Sequence, residues 1–268
     1  MPASDRMHPF VALMRRYCID YTNSHDQSLY PELFTDDYVV RINGVGLPQA
    51  TAYAQAVADL FAEAPGLGLT VHELVLNGDR LCMRFSEHAA FPAPDGRRLA
   101  AWSGIGLYQW DGERLTGNHV EQDFASRRAQ LASGVPQPLE PPHLDPWMTT
   151  VPVAPVPEAE AVARQALVDD RLLDAAAVRV DDGAGPLAVA PEEVVVNDIF
   201  SAGRRVAIHA TCRGAYRGGV PGLDDDARGR PAELQVAALV LVADDGTLAD
   251  VRAVTSRDVV RSALRRRR

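Results

Sequence analysis

The sequence predicts an α+β fold built as two tandem units, and three observations predict it. Over residues 6–23 apolar residues recur at helical spacing and an Ala-rich helix is read over 48–62, but from Leu69 the period drops to two. Four strand-like runs follow, joined by Asn77-Gly78-Asp79, Pro94-Asp95-Gly96 and Asp111-Gly112 turns. Helices first and an antiparallel meander after is the order of an α+β domain. Next, residues 135–157 hold eight of the nineteen prolines, the composition of a semi-rigid linker. Beyond it the pattern returns. Arg80-Leu81-Cys82-Met83-Arg84 is matched by Arg205-Val206-Ala207-Ile208-His209, Trp110-Asp111-Gly112 by Asp244-Asp245-Gly246, and residues 118–131 by 251–264. A unit that long is a duplicated domain rather than a solenoid repeat. The expected organisation is a first domain over 1–134, a linker over 135–157 and a shortened second copy over 158–268.

The first helix, residues 6–23, carries Phe10, Leu13, Met14, Tyr17, Cys18 and Tyr21 on one face and ends in Asn23-Ser24-His25-Asp26. A short second helix runs through Leu33-Phe34. A strand over 38–43 alternates Val39, Arg41 and Asn43 against Val40 and Ile42, and Gly44 and Gly46 break it. An Ala-rich third helix over 48–62 closes at Pro65-Gly66. Strands are expected over 69–76, 80–91, 98–110 and 114–124, and Trp147 and Met148 are expected to dock the linker onto a domain. The second copy reads as a helix over 158–173, strands over 192–200, 204–216, 234–243 and 247–255, and a closing helix. Residues 175–190 stand where the first copy has 26–68, too few for a second helix, a strand and a third helix.

Composition narrows the function. With 268 residues, 47% of them hydrophobic, the chain can bury a sizeable core. No apolar run reaches the roughly 18 residues of a membrane span, and the first ten residues lack a charged-then-apolar leader pattern, so a cytoplasmic protein is expected. Cys18, Cys82 and Cys212 suggest neither a disulfide framework nor a zinc site. All 27 basic residues are arginine. This composition looks like the coding bias of a high-GC bacterial genome, and without lysine there is no Schiff base or P-loop lysine. A net charge of −9 argues against nucleic acid, and the run Arg265–Arg268 reads as a solvated tail.

The chemistry-bearing stretch is residues 114–131, a strand running into a short helix. Alternation puts His119, Glu121 and Asp123 on one strand face and Asn118, Val120, Gln122 and Phe124 on the other. Two carboxyls flanking an imidazole perturb one another's pKa values, as a proton-transfer site near neutral pH requires. A solvated strand face shows the same pattern, and Asp123 before a helix is equally an N-cap. Trp102, Tyr108 and Trp110 share a face and form either a pocket wall or the packing between the two halves.

Asn23-Ser24-His25-Asp26, Leu33-Phe34-Thr35-Asp36-Asp37, Asn77-Gly78-Asp79-Arg80, the Asp-Gly turn before a last strand ending in Asp123, and Gln130-Leu131 together resemble the SnoaL-like polyketide cyclases of the nuclear transport factor 2-like (ketosteroid isomerase-like) superfamily. The resemblance covers about residues 10–131. It implies a strongly curved sheet wrapped round helices to form a cone with a deep apolar pocket, and a second copy standing in for the second half of a dimer within one chain. By position Asp123 matches the acid–base Asp of the cyclases. Asn23 occupies the place of another branch's catalytic Asp and cannot be a base. Candidate donors to developing charge on oxygen are His119, Asn43, Arg41 and Trp102. Arg252, Val254 and Ser256 stand where the first copy has His119, Glu121 and Asp123, so the second copy cannot repeat that chemistry.

The leading reading is a cofactor-free tailoring enzyme of bacterial secondary metabolism, working on a hydrophobic polyketide-like molecule by aldol-type cyclisation or isomerisation. Its expected catalytic residues are Asp123, His119 and Glu121, and its expected substrate-binding residues are Asn23, Arg41, Asn43, Trp102 and Tyr108. No metal, nucleic acid or membrane partner is expected, and the chain works as a monomeric pseudo-dimer or a homodimer. The alternatives are epoxide opening on the same fold and a non-catalytic binding or assembly protein.

Overall fold

The computed structural model describes residues 7–183 and 185–266. α1 (Pro9–Arg15) begins where His8 Nδ1 accepts the Phe10 N–H (3.2 Å), with Pro9 in the first turn. It continues as a π-helical stretch, Arg16–Asn23, and the two bury Phe10, Met14, Cys18 and Tyr21 along one side. α2 (Tyr30–Leu33), β1 (Val39–Ile42) and β2 (Val45–Pro48) follow. β2 was not expected: Asn43-Gly44 does not end the strand but turns it. Both residues are left-handed (φ 49° and 75°), the geometry that matches hairpin twist in a two-residue turn. A second π-helical stretch (Gln49–Tyr53) leads into α3 (Ala54–Glu63). The meander is then β3 (Gly68–Leu76), β4 (Arg80–Ala93), β5 (Gly96–Trp110) and β6 (Leu115–Gln122), closed by α4 (Phe124–Ser133).

The proline-rich stretch is strapped down. His143 and Val153 N–H groups donate to Val71 and Leu76 carbonyls on β3 (both 2.9 Å), which covers an otherwise open sheet edge. It contains α5 (Pro146–Thr149), whose Trp147 packs on the first core, whereas Met148 is exposed, contrary to expectation. The second copy comprises α6 (Pro157–Val168), β7 (Ala177–Val180), β8 (Val189–Ala202), β9 (Arg205–Tyr216), β10 (Pro231–Val242), β11 (Leu248–Thr255) and α7 (Arg257–Arg266). The expected solvated tail is helical through Arg266, and Arg265 bonds to the Gly222 carbonyl; Arg267 and Arg268 lie outside the described residues.

The sheet orders, β2-β1-β6-β5-β4-β3 and β7-β11-β10-β9-β8, are the same once β2 is removed. β7 lies parallel to β11 as β1 lies parallel to β6. The copies even share a fastening. Asn43 and Asp181 are both left-handed (φ 49° and 52°), and each accepts the backbone N–H of the last strand, Gln122 at 2.8 Å and Thr255 at 2.7 Å. The second copy has therefore kept the strand after its first helix and lost the hairpin partner and two helices.

The two sheets pack outer face to outer face. Val75, Cys82, Ile105 and Leu107 of the first meet Phe200, Ala207, Ala237 and Leu239 of the second in a buried apolar cluster. Ion pairs flank it: Arg205 holds Glu73 (2.8 and 2.9 Å) and Asp250 (3.0 Å), Arg80 meets Asp198, and Arg257 meets Asp123. The concave faces differ. The second is filled by Ala159, Ala163 and Ala166 of α6 lying against Val206, Ile208 and Val236. The first is lined by larger aromatic side chains and leaves space.

Candidate active site in the first cone

β4 presents Leu81, Met83, Phe85, Glu87, Ala89 and Phe91 on one face, one carboxyl in an apolar stripe. Opposite Phe85 on β5 stands Gly104, where an added Cβ would sit 2.3 Å from the Phe85 ring. At Gly106 it would lie 2.6 Å from the Tyr108 ring. These glycines admit the aromatic rings into the cone. By register, Val236 and Ala238 occupy the equivalent places in the second sheet. The resulting cavity of about 100 Å³ is walled by Tyr17, Tyr21, Tyr53, Phe61, Phe85 and Tyr108, with Glu87, Arg127, Asn118, Gln122 and Thr22 as further polar groups.

Glu87 is the sole carboxylic acid among the lining residues. Gln122 Nε2 donates to its Oε1 (3.2 Å), and the Trp102 indole N–H donates to Gln122 Oε1 (2.8 Å), which orients the amide. The Gln122 backbone is in turn held by both ends of the Asn43 amide (2.8 and 2.9 Å). Burial pushes the Glu87 carboxyl up to about 7, against the pull of the Arg127 guanidinium and the amide. Arg127 sits over Phe124 (4.4 Å) and Trp102 (5.0 Å), a cation held against aromatic faces, and burial lowers its own pKa.

Facing this pair is a group of phenols. Tyr21 Oη lies 3.2 Å from Tyr53 Oη and 3.3 Å from Tyr30 Oη. Burial pushes Tyr53 up to about 12 and holds Tyr17 and Tyr21 well above the ordinary phenol value, so at neutral pH all are uncharged O–H donors. A carboxyl that is half ionised near neutrality, set among O–H donors in an apolar space, can take a proton from carbon beside a carbonyl while a phenol receives the charge forming on oxygen.

β6 turns the expected catalytic trio away from this cavity. Asn118, Val120 and Gln122 face the cone, whereas His119, Glu121 and Asp123 face the second sheet. Asp123 caps α4 by accepting the Ser126 N–H (3.1 Å) and is gripped by Arg257 through Nε (3.0 Å) and Nη2 (2.8 Å), a buried ion pair. His119 stacks on His209 (centroids 4.5 Å apart), and Glu121 Oε1 lies 3.0 Å from His209 Nε2. Of the expected binding residues, Asn23 pins the first helix to β3 through the Leu69 N–H (2.6 Å) and carbonyl (3.2 Å). Asn43 is consumed by Gln122, and Arg41 is exposed at the interdomain boundary. Trp102 acts behind Gln122, and Tyr108 stands in the cavity wall. Glu87 and Arg127 were missed by sequence reasoning. The signal for Glu87 was available, as the one acid in the 81–91 stripe.

Residues 14–118 match the family model of the SnoaL-like domain. Among solved structures, the chain is similar to a protein of Acidithiobacillus ferrooxidans provisionally named a polyketide cyclase, at 21% identity, 46% of this chain, 94% of that one and a TM-score of 0.40. It is similar to IdmH of Streptomyces antibioticus, also provisionally named a polyketide cyclase, at 20% identity, 46% and 98% coverage and a TM-score of 0.41. TsrD of Streptomyces laurentii gives 18% identity, 47% and 96% coverage and a TM-score of 0.40. No curated protein matches the chain.

Proposed function

With a SnoaL-like domain as its first half and a tandem, shortened copy as its second, we propose that the chain is an acid–base enzyme whose chemistry takes place in the first cone, with Glu87 as the proton-transfer group. The second copy, whose Cys212 stands by register where the first has Glu87, serves as a structural partner covering the outer sheet face. On this reading the first domain is residues 1–134 and the second is residues 158–268, with the strap over 135–157 between them. The observation that carries the reading is the single carboxyl of raised pKa in the aromatic cavity, backed by uncharged phenols. Glu87 removes a proton α to a ketone, a phenol of the Tyr17–Tyr53 group hydrogen-bonds the enolate oxygen, and Glu87 returns the proton elsewhere on the carbon skeleton. The outcome is isomerisation, or ring closure when the enol carbon meets a second carbonyl. Epoxide opening is disfavoured because it asks for two carboxyls, and Asp123 is committed to Arg257.

The test follows solvent deuterium entering cyclohex-2-enone, a ring of the size the cavity takes, by proton NMR. Wild type accelerates exchange above buffer and Glu87→Gln does not, while Asp123→Asn retains the acceleration. Equal rates for wild type and Glu87→Gln overturn the assignment.

A further inference from the structure

The residues expected to be catalytic form a second constellation, on the opposite face of β6. His119, Glu121, His209, Thr211, Asn197 and Gln235 line a cavity of about 280 Å³ between the sheets. Its roof is the Asn43-Gly44 turn. A Cβ at Gly44 would come within 3.2 Å of the Gln235 side chain, so the turn lies directly on the second sheet. Gly44, Val45 and Gln235 are shared with an outer groove of about 610 Å³, which gives the cavity a way out.

Its polar groups can be followed one by one. Asn197 Nδ2 donates to His209 Nδ1 (3.0 Å) and lies 3.0 Å from Thr211 Oγ1, and Thr211 donates to Gln235 Oε1 (2.8 Å). His209 then carries its hydrogen on Nε2 and donates it to Glu121 Oε1 at 3.0 Å. Turning the Asn197 amide over reverses the direction of this chain without reaching the far oxygen. Glu121 is 1% exposed, yet its Oε2 has no partner. Burial raises the Glu121 pKa well above its ordinary value and lowers His209 to about 3, so the pair is a neutral acid beside a neutral imidazole. At the boundary stands Arg41, exposed and without an acidic partner among the described residues.

We infer that this interdomain cavity is a ligand site distinct from the cone, built for a small monocarboxylate that carries an uncharged oxygen, such as an oxo-acid. The guanidinium at the boundary takes the carboxylate, and the half-buried His119 imidazole on the same cavity wall takes the carbonyl oxygen. A cationic ligand is repelled by Arg41, and a phosphate finds one cation where it needs several. The inference stands independently of the proton-transfer reading of the cone.

The test titrates levulinate, a stable oxo-carboxylate, into the full chain while following the ring C–H signals of His119 and His209 by NMR. Saturable shifts are expected. Arg41→Gln, a change at an exposed side chain, weakens binding about tenfold, the scale of one charge-assisted pair. Methyl levulinate, which has no charge, is weakened similarly, and Glu87→Gln binds as wild type does. Three outcomes overturn the inference: no saturable shift, equal binding of the ester and the acid, or loss of binding in Glu87→Gln, which would place levulinate in the cone.

Discussion

Glu87→Gln makes the protein more stable in a pH-dependent way. Folding moves this carboxyl from its ordinary 4.5 to about 7. Between those values the unfolded chain has released the proton and the folded chain still holds it. The folded state binds more protons there, so stability falls as pH rises through the window and stays low above it. The full displacement corresponds to at most about 3 kcal/mol. Glutamine keeps the shape and can still accept from Gln122, but it does not ionise. The variant is therefore expected to match wild type within about 0.5 kcal/mol at pH 4.5 and to exceed it by up to about 3 kcal/mol at pH 8. Urea unfolding at both pH values measures this, and the combined fluorescence of Trp102, Trp110 and Trp147 reports the transition. The difference between variant and wild type cancels the titrations of groups that do not interact with Glu87. If that difference is the same at pH 4.5 and pH 8, Glu87 does not titrate abnormally and the case for it as the proton-transfer group collapses.

Activity on the acid side should rise with a midpoint near 7, because Glu87 acts as a base only when ionised, and Arg127→Met should move that midpoint upward by removing the cation that favours the charged form; a pH–rate profile with an unmoved midpoint refutes the pairing. Asp123→Asn takes one partner from Arg257, which keeps Asp182 at 2.8 Å, so the loss should be about 1–3 kcal/mol rather than the 3–5 of a fully orphaned buried charge, with activity per folded molecule unchanged. Urea titration and rate measurement on the same sample separate the two effects. Gly104→Ala drives a methyl into the Phe85 ring and should cost about 1–3 kcal/mol, readable as a lower urea midpoint.

Much of the fold was legible because it rests on period and punctuation. The shift from helical spacing to alternation at Leu69, the Asp-Gly turns and the proline-rich stretch gave the meander and the duplication. β2 is missed where Gly44 and Gly46 read as strand breakers, although Asn43-Gly44 between alternating residues is a hairpin turn in its own right. The site was harder for a physical reason. Alternation says which residues of a strand share a face and does not say which face is inside. The usual discriminator, one apolar face and one polar face, fails on β6 because a second sheet covers the outer side. His119, Glu121 and Asp123 are a polar face in sequence, yet in the structure Glu121 and Asp123 are buried and His119 half-buried. β4 offered the better clue. There the apolar stripe is unambiguous, and Glu87 interrupts it.

The back-to-back sheets also change how this cone responds to dilution. A cone whose outer face is covered by a separate subunit loses that cover as concentration falls, and its stability becomes a function of how much protein is present. Here the covering sheet arrives on the same chain, through a strap anchored along β3, so mass action has no hold on the contact. The second interior is filled by small alanines and carries Cys212 at the register position of Glu87, and the grip of Arg257 on Asp123 ties the two halves across the contact.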